Sequence, residues 1–448
     1  MSLAPANPTR LEADLRVLCD DIGCRLAGSP NEARAAQYIA AQYQALGLET
    51  EIQEFPCVCW ECRQAVMQAR RGRRWVDIPV QPNTQSPSTP GMLEGELVYL
   101  ETAHPWDLEG RDLTGKIGLL FGSAYASLER MERLCNSGLV ALLYVDERFP
   151  TDEKVASGLI AGWIDHLSLP TATVPYLRAW DLVRDGVRDV RLQLDMRNFL
   201  SHSQNVVAVL PGRRKLPPLV IGGHHDCVAT NVGAEDDGTG VVVTLELARL
   251  LRDSKPLRPI RFVSFGWEEN LSEGARQYVV HPANRAETTA LMVNIDSVGC
   301  WMGTDEVWVT GDAKLRAFVR RHLEEQRFVA KLRPDITPFS DHYPFNLVGV
   351  PTVWLYRGNC PGGRWYHHSR FDTPDKLNMA RLARTTDLVA SMVGELAQSA
   401  ELPFPRDIPA AQRRQIEQYR KDLYDPIGDW RTPELMRPEG KRRSDILS

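Results

Sequence analysis

The chain has 448 residues, 43% of them hydrophobic and 25% charged, with a formal net charge of -5. This is the composition of a globular protein too long for one ordinary core, so two domains are expected, with room for an insertion. The acidic balance argues against nucleic acid as the main partner, and no apolar run approaches the roughly 20 residues of a membrane span.

The opening stretch, MSLAPANPTRLEADLR, lacks a charged segment followed by an apolar one, so no secretory signal is read and the expected location is cytoplasmic. Residues 31–48 carry Ala, Ile, Tyr and Leu at helical spacing and stop at Gly47, a C-cap residue. ETEIQEF then alternates like a strand. The nine cysteines are an odd count, which favours reduced thiols. CVCWEC (57–62) lacks a second paired half at zinc-finger spacing and is read as thiols in or near a strand. QPNTQSPSTPGM (81–92) is read as a linker or loop. GELVYL, KIGLLFG, LVALLYVD and VRLQLDM follow as strands, with SLERMERLCNSG as a helix among them. Together they predict a mostly β module of about 110–130 residues.

After SHSQNVVAVLPG (201–212) the texture changes. PPLVIGGHHD, PIRFVSFGWEE, TALMVNIDSVG and GVPTVWLYRG read as apolar strands. GTGVVVTLELARLLRD, SEGARQYVV, DAKLRAFVRRHLEEQ and a long closing segment ending at ELAQ read as helices. The alternation predicts an α/β sandwich with a mixed, mostly parallel sheet between helices. Residues 401–448, charge-mixed and Pro-bearing, are expected to form an arm, an extra helix or a partly disordered extension.

Three of these strands end in His224-His225-Asp226, in Glu268-Glu269 and in Asp296. In open α/β sheets ligands bind at the carboxyl ends of strands, so these groups should converge. Buried carboxylates repel one another and cost several kcal/mol unless paired, a cost that a doubly charged metal removes. On an extended chain residues i and i+2 share a face, so His224 and Asp226 can meet while His225 points elsewhere. An aspartate accepting the second ring N–H of a metal-binding histidine is a common arrangement, and it singles out His224. In GAEDDGTG, Asp236 or Asp237 can instead cap the following helix. Glu268 and Glu269 can divide labour, one handling protons and one binding metal. FSDHYPF adds Ser340, Asp341 and His342, and RWYHHSRFDTPDKL adds a second histidine pair.

HxD, GAEDD, EE, NID, SDH and HxxxDTPDKL, in this order, resemble the co-catalytic zinc exopeptidases: bacterial leucyl aminopeptidase, aminopeptidase S and the glutamate carboxypeptidase relatives. The likeness spans roughly 203–400 and the stretch RLAGSPNEARAAQYIAAQYQALGLE. LTGKIGLLFG, SGLVALLYVD and LPTATVPYLRAWDLV resemble the protease-associated (PA) domain often inserted in such enzymes. The resemblance implies peptidase segments at 1–56 and 201–400, a PA-like insertion at 57–200 and an extension at 401–448. It also implies two Zn2+ ions bridged by Asp236, one also held by His224 and Asp296, the other by Glu269 and His368. His368 is preferred to His367 by the family's HxxxD spacing. Asp226 would orient His224. Glu268 would be the general base, taking a proton from the attacking water and passing it to the leaving amine. Relatives use a tyrosine just before the last ligand as oxyanion donor; here His367 stands there, with Tyr366 adjacent, and both are candidates. Glu235 replaces the family's usual Asp.

The implied partners are peptides, with the oligomeric state open and a homodimer among the options. An aminopeptidase is expected, with a carboxypeptidase or dipeptidase as the alternative. A glutaminyl-cyclase-like transferase is disfavoured by His224, and a receptor-like protein by the complete ligand set. The face carrying Thr352, Trp354 and Tyr356 reads as an uncharged pocket wall, and Arg357, Arg364 and Arg370 read as solvated loop arginines.

Overall fold

The fold is taken from a computed structural model, which describes residues 4–122, 127–156, 168–425 and 429–431. The chain divides into two units. Met1–Cys57, His202–Tyr366 and Phe371–Arg420 form the first; Val58–Ser201, His367–Arg370 and Lys421–Ser448 form the second.

In the first unit the sheet runs Lys331–Arg333, Thr304–Thr310, Thr352–Gly358, Leu291–Ile295, Leu219–His224, Ile260–Phe265 and the end of Asp189–Leu210. The four strands from Thr352–Gly358 to Ile260–Phe265 are mutually parallel, as expected from their unbroken apolar sequences. Antiparallel pairs flank them, Thr304–Thr310 on one side and residues 206–210 on the other. Leu219, Val220 and Ile221 have no exposed surface, and full burial of such side chains contributes about 1.5–3 kcal/mol each. Helix Gly238–Leu251 is buried almost throughout and packs against helix Met379–Gln398, which explains why most of its side chains are apolar. Its one buried acid, Glu246, is paired with Arg10.

Thr304–Thr310 was not anticipated as a strand. It alternates buried Asp305, Val307 and Val309 with half-buried Glu306 and Trp308, and the acid on the inner face masked the pattern. Arg357 Nη1 meets Asp305 Oδ2 at 2.7 Å, which is why the acid is tolerated there.

In the second unit Leu93–Tyr99, Ile117–Phe121, Ala141–Val145 and Thr171–Thr173 form consecutive parallel pairs, with Gln81–Pro82 antiparallel at the end. Helices Leu128–Cys135 and Tyr176–Arg184 accompany them. Strands Glu49–Arg71 and Arg74–Ile78 make a hairpin turning at Gly72. The stretch 81–92 is not a loose linker. Asn83, Gln85 and Ser86 are buried, because their polar side chains close hydrogen bonds inward. Gln85 Nε2 donates to Val58 O at 3.0 Å, and Thr173 Oγ1 donates to Asn83 Oδ1 at 2.9 Å.

Cys19, Cys24, Cys62, Cys135, Cys227, Cys300 and Cys360 are free thiols, and Cys57, Cys59 and Cys62 lie on the Glu49–Arg71 strand. Among the described residues no helix is long and apolar enough to cross a membrane. Within the expected C-terminal extension, Ala410–Tyr419 is a helix, while residues 426–428 and 432–448 lie outside the described residues.

Candidate active site

Sheet register brings the acids together. His224 pairs with Phe265, and Asn294 with Gly222, so Glu268 and Asp296 follow at the same end of the two strands that flank the His224 strand. The turn after Gly233 folds close over this end. A Cβ at Gly223 or at Gly240 would lie 2.3 or 2.1 Å from Asp237 Oδ2, so both positions require glycine.

The three consecutive acids separate by function. Asp237 is the N-cap of helix Gly238–Leu251: its Oδ1 accepts the Gly240 N–H at 2.7 Å and the Ser297 N–H at 3.1 Å. Glu235 Oε1 accepts the Gly299 and Cys300 N–H groups at 3.1 and 3.0 Å, and its other oxygen accepts the Tyr366 hydroxyl. Asp236 alone faces the histidine, with Oδ1 3.2 Å from His224 Nε2.

Donor atoms of His224, Asp236 and Asp296 all lie within 4.8 Å of one another, and all three residues are buried. Glu268 Oε2 is 3.7 Å from the same Nε2. An imidazole nitrogen and two carboxylates facing one point form a donor set that fits zinc or another divalent cation. Burial opposes charge on His224, but the carboxylates of Glu268, Asp226 and Asp236 outweigh it and hold its pKa well above the usual value. A cation there would do by charge what that proton does.

Asp226 is fully buried behind the site. Its Oδ1 accepts the Glu268 N–H at 3.0 Å and its Oδ2 the Glu269 N–H at 3.3 Å, so one carboxylate aligns both glutamates. Its Oδ1 is also 3.4 Å from His224 Nδ1. Burial pushes Glu268 up to about 8; His224 opposes this, while Glu269, Asp296 and Asp226 add to it. Ser272 Oγ donates to Glu268 Oε1 at 3.1 Å. His225 points the other way, its Nδ1 3.1 Å from Ser264 Oγ, and burial lowers it to about 4.

Further residues support the site in ways the sequence motifs did not specify. Asp372 accepts the Glu235 and Asp236 N–H groups at 2.8 and 3.1 Å, one on each oxygen, and so holds the acidic turn. Ser340 donates its hydroxyl to Asp296, and Asn294 Nδ2 donates to Ser340 Oγ at 2.6 Å. Asp341 is buried beside them, and His342 stacks on Trp354 at 5.1 Å. The order SDH and the DTPDKL turn were the available signals, but neither says which atom is held.

Two expectations about the surroundings need correcting. Arg357 and Arg364 are not solvated, being only 8% and 4% exposed. Arg357 serves Asp305 and the Cys300 carbonyl, while Arg364 Nη2 lies 2.9 Å from Asp236 Oδ2 and its guanidinium sits over Tyr356. Buried acids draw these arginines in, which composition alone does not reveal. Arg370 is exposed and pairs with Glu153. The Trp354 face is not an open wall either, because Trp308, His342 and Tyr356 pack around that ring.

The first unit thus gathers His224, Asp226, Asp236, Glu268, Glu269 and Asp296, with Tyr366 buried against Glu235. His367 and His368 are described with the second unit, where their rings stack at 3.7 Å and His368 Nδ1 is 3.0 Å from Ala156 O.

Residues 205–393 match the family model described as Peptidase family M28. This part of the chain belongs to peptidase family M28. The protein is therefore a hydrolase of the metallopeptidase kind that its motifs suggested. Across a longer span the chain is 24% identical over 424 residues to aminopeptidase YwaD of Bacillus subtilis, covering 92% of this chain and 88% of that protein. It is 26% identical over 416 residues to carboxypeptidase Q of Mus musculus, covering 85% of each. Its fold matches the structure of a zinc aminopeptidase from Bacillus subtilis, with a TM-score of 0.72, 22% identity and 92% and 99% of the two chains covered. An M28 peptidase precursor from Shewanella amazonensis matches with a TM-score of 0.74, 22% identity and coverage of 90% and 95%. These matches agree with the mixed, mostly parallel α/β architecture.

Proposed function

We propose that this M28 peptidase is a two-zinc aminopeptidase that removes N-terminal residues from peptides. The observation that carries the reading is the buried His224–Asp236–Asp296 group at the strand ends, with Glu268 beside it. His224, Asp236 and Asp296 would hold one ion, and Asp236, Glu269 and His368 the other. Two zinc ions, when bound, polarise the scissile carbonyl and acidify a water. Glu268 accepts the proton of the attacking water and delivers it to the leaving amine. Ser272 keeps the Glu268 carboxylate in one orientation, and Asp226 keeps its main chain in place. His367 supplies the oxyanion donor, since the Tyr366 hydroxyl is already given to Glu235. Residues 57–200 act as an inserted PA-like domain, with 1–56 and 201–400 as the peptidase parts and 401–448 as an extension.

Similarity to aminopeptidase YwaD over most of both chains supports the aminopeptidase reading. One observation favours a carboxypeptidase instead. Arg364 is a buried guanidinium beside Asp236, and arginine is well suited to holding a substrate carboxylate. A panel of aminoacyl chromogenic substrates, free peptides and N-blocked peptides separates the two. Release of N-terminal residues is expected. Cleavage confined to N-blocked peptides with free C-termini selects the carboxypeptidase.

A further inference from the structure

Two thiols from distant parts of the sequence meet just behind Asp226. Cys227 follows Asp226 directly and is fully buried, whereas Cys24, between the π-helix Val17–Ile22 and helix Pro30–Ala45, is partly exposed. The main chain sets them side by side. Cys227 N–H donates to Arg25 O at 3.2 Å, and Arg25 N–H donates to Cys227 Sγ at 3.1 Å. Both sulfurs also lie on the same loop, Cys24 Sγ 3.6 Å from Val228 O and Cys227 Sγ 3.8 Å from Asn231 O. The Arg25 guanidinium is buried in this loop, its Nε 2.6 Å from His225 O and its Nη2 2.8 Å from Gly233 O.

This surrounding favours a thiolate on one sulfur and a thiol on the other. A hydrogen bond from the Cys227 side chain, with help from the Leu26 and Thr230 N–H groups and the Arg25 charge, overcomes burial and lowers Cys24 to about 6. Cys227 is pushed the other way, chiefly by burial, and stays a thiol. Reactive cysteines are those that are partly exposed and ionised in an electropositive setting, while buried neutral thiols are inert on their own.

We propose that Cys24 and Cys227 form an oxidative modification site that takes a peroxide and closes to a disulfide behind the active site. The Cys24 thiolate attacks one peroxide oxygen, the O–O bond breaks, and a proton completes the departing water, leaving a sulfenic acid. Cys227 sulfur then attacks Cys24 sulfur, the S–O bond breaks, and the hydroxyl leaves as a second water with the Cys227 proton. Two electrons pass from the thiols to the peroxide. Closing the bond draws Cys227 away from the Arg25 N–H, and with it the adjacent Asp226, which holds the main chain of both Glu268 and Glu269. The effect on turnover rests on the peptidase reading above; the disulfide does not.

The test treats the full-length protein with a few equivalents of hydrogen peroxide, blocks remaining thiols and maps the peptides by mass. A linked Cys24–Cys227 peptide, two hydrogens lighter, is expected, with a loss of turnover of about 10-fold or more. Dithiothreitol should restore it. Cys24→Ser and Cys227→Ser should each keep turnover after the same treatment, while Cys19→Ser should still form the link. Cys24→Ser alone suffices if the buried Cys227→Ser does not fold. Absence of the link in the wild-type protein overturns the site, and a link with unchanged turnover overturns its effect on the enzyme. A preparation without peptidase activity leaves the mass readout intact, so failure of the functional reading is seen separately.

Discussion

Nδ1 of His224 lies 3.2 Å from the main-chain oxygen of Asp226 and 3.4 Å from the Oδ1 of the same residue, so one aspartate orients the ring from two directions. Its carboxylate also receives the N–H groups of Glu268 and Glu269. Asp226→Asn keeps the size but replaces one acceptor oxygen by an NH2 group, which must face an N–H donor. The protein should fold, and its zinc affinity should fall about 10–100-fold, as measured by competition with a chelator. Unchanged affinity would show that the main-chain oxygen alone holds the ring.

The His224–Asp226 relation was legible because it is local: two residues on an extended strand end share a face. The parallel core was legible for a similar reason, since uninterrupted apolar strands such as LVIGG alternate with amphipathic helices. What stayed hidden depended on partners far along the chain. Nothing within GAEDDGTG distinguishes its acids; Ser297, Tyr366 and Asp372 do so from elsewhere. Arg364 likewise looks like a loop cation until the buried carboxylate of Asp236 is placed next to it. Charges are drawn inward by other buried charges, and such pairings leave no periodic trace.

Asp372 carries the acidic turn on its two oxygens. Asp372→Ala leaves two buried N–H groups without their acceptor, at about 1–3 kcal/mol each. Denaturant unfolding should show that loss. Asp372→Asn keeps one acceptor and should lose roughly half as much. A variant as stable as the parent would mean that water replaces the carboxylate without cost.

Glu268 differs from its neighbours in that its role requires a proton to move. Glu268→Gln is close to isosteric and retains an acceptor for Ser272 Oγ. Bound metal and melting temperature should stay near the parent values, while kcat falls about 10²–10⁴-fold. Undiminished kcat removes Glu268 as the base.

Removing the metal tests the carboxylate cluster as a whole. Metal analysis should return close to two zinc ions per chain, and Asp236→Ala should lose most of both, since the proposed bridge is gone. Chelation should abolish turnover and lower the melting temperature, because uncompensated buried carboxylates repel one another. Added zinc should reverse both effects, with stabilisation of about 2.7 kcal/mol once zinc reaches a hundred times its Kd. Full metal content in Asp236→Ala overturns the bridging role.

The two thiol environments make a pH prediction that does not depend on turnover. Cys24 is lowered to about 6, with the Cys227 hydrogen bond as the leading cause, so its thiolate fraction rises as pH climbs through that value. Cys62, on the Glu49–Arg71 strand, is shifted upward by burial. Alkylation by iodoacetamide follows the thiolate, so the rate at Cys24 should climb between about pH 5 and 7 and then level off. At Cys62 it should still be rising at about pH 9. Peptide mapping after short pulses reads both rates from one sample. In Cys227→Ala the partner donor is gone, and the Cys24 midpoint should move upward. A Cys24 profile that parallels Cys62 would remove the ionised thiol on which the disulfide chemistry depends.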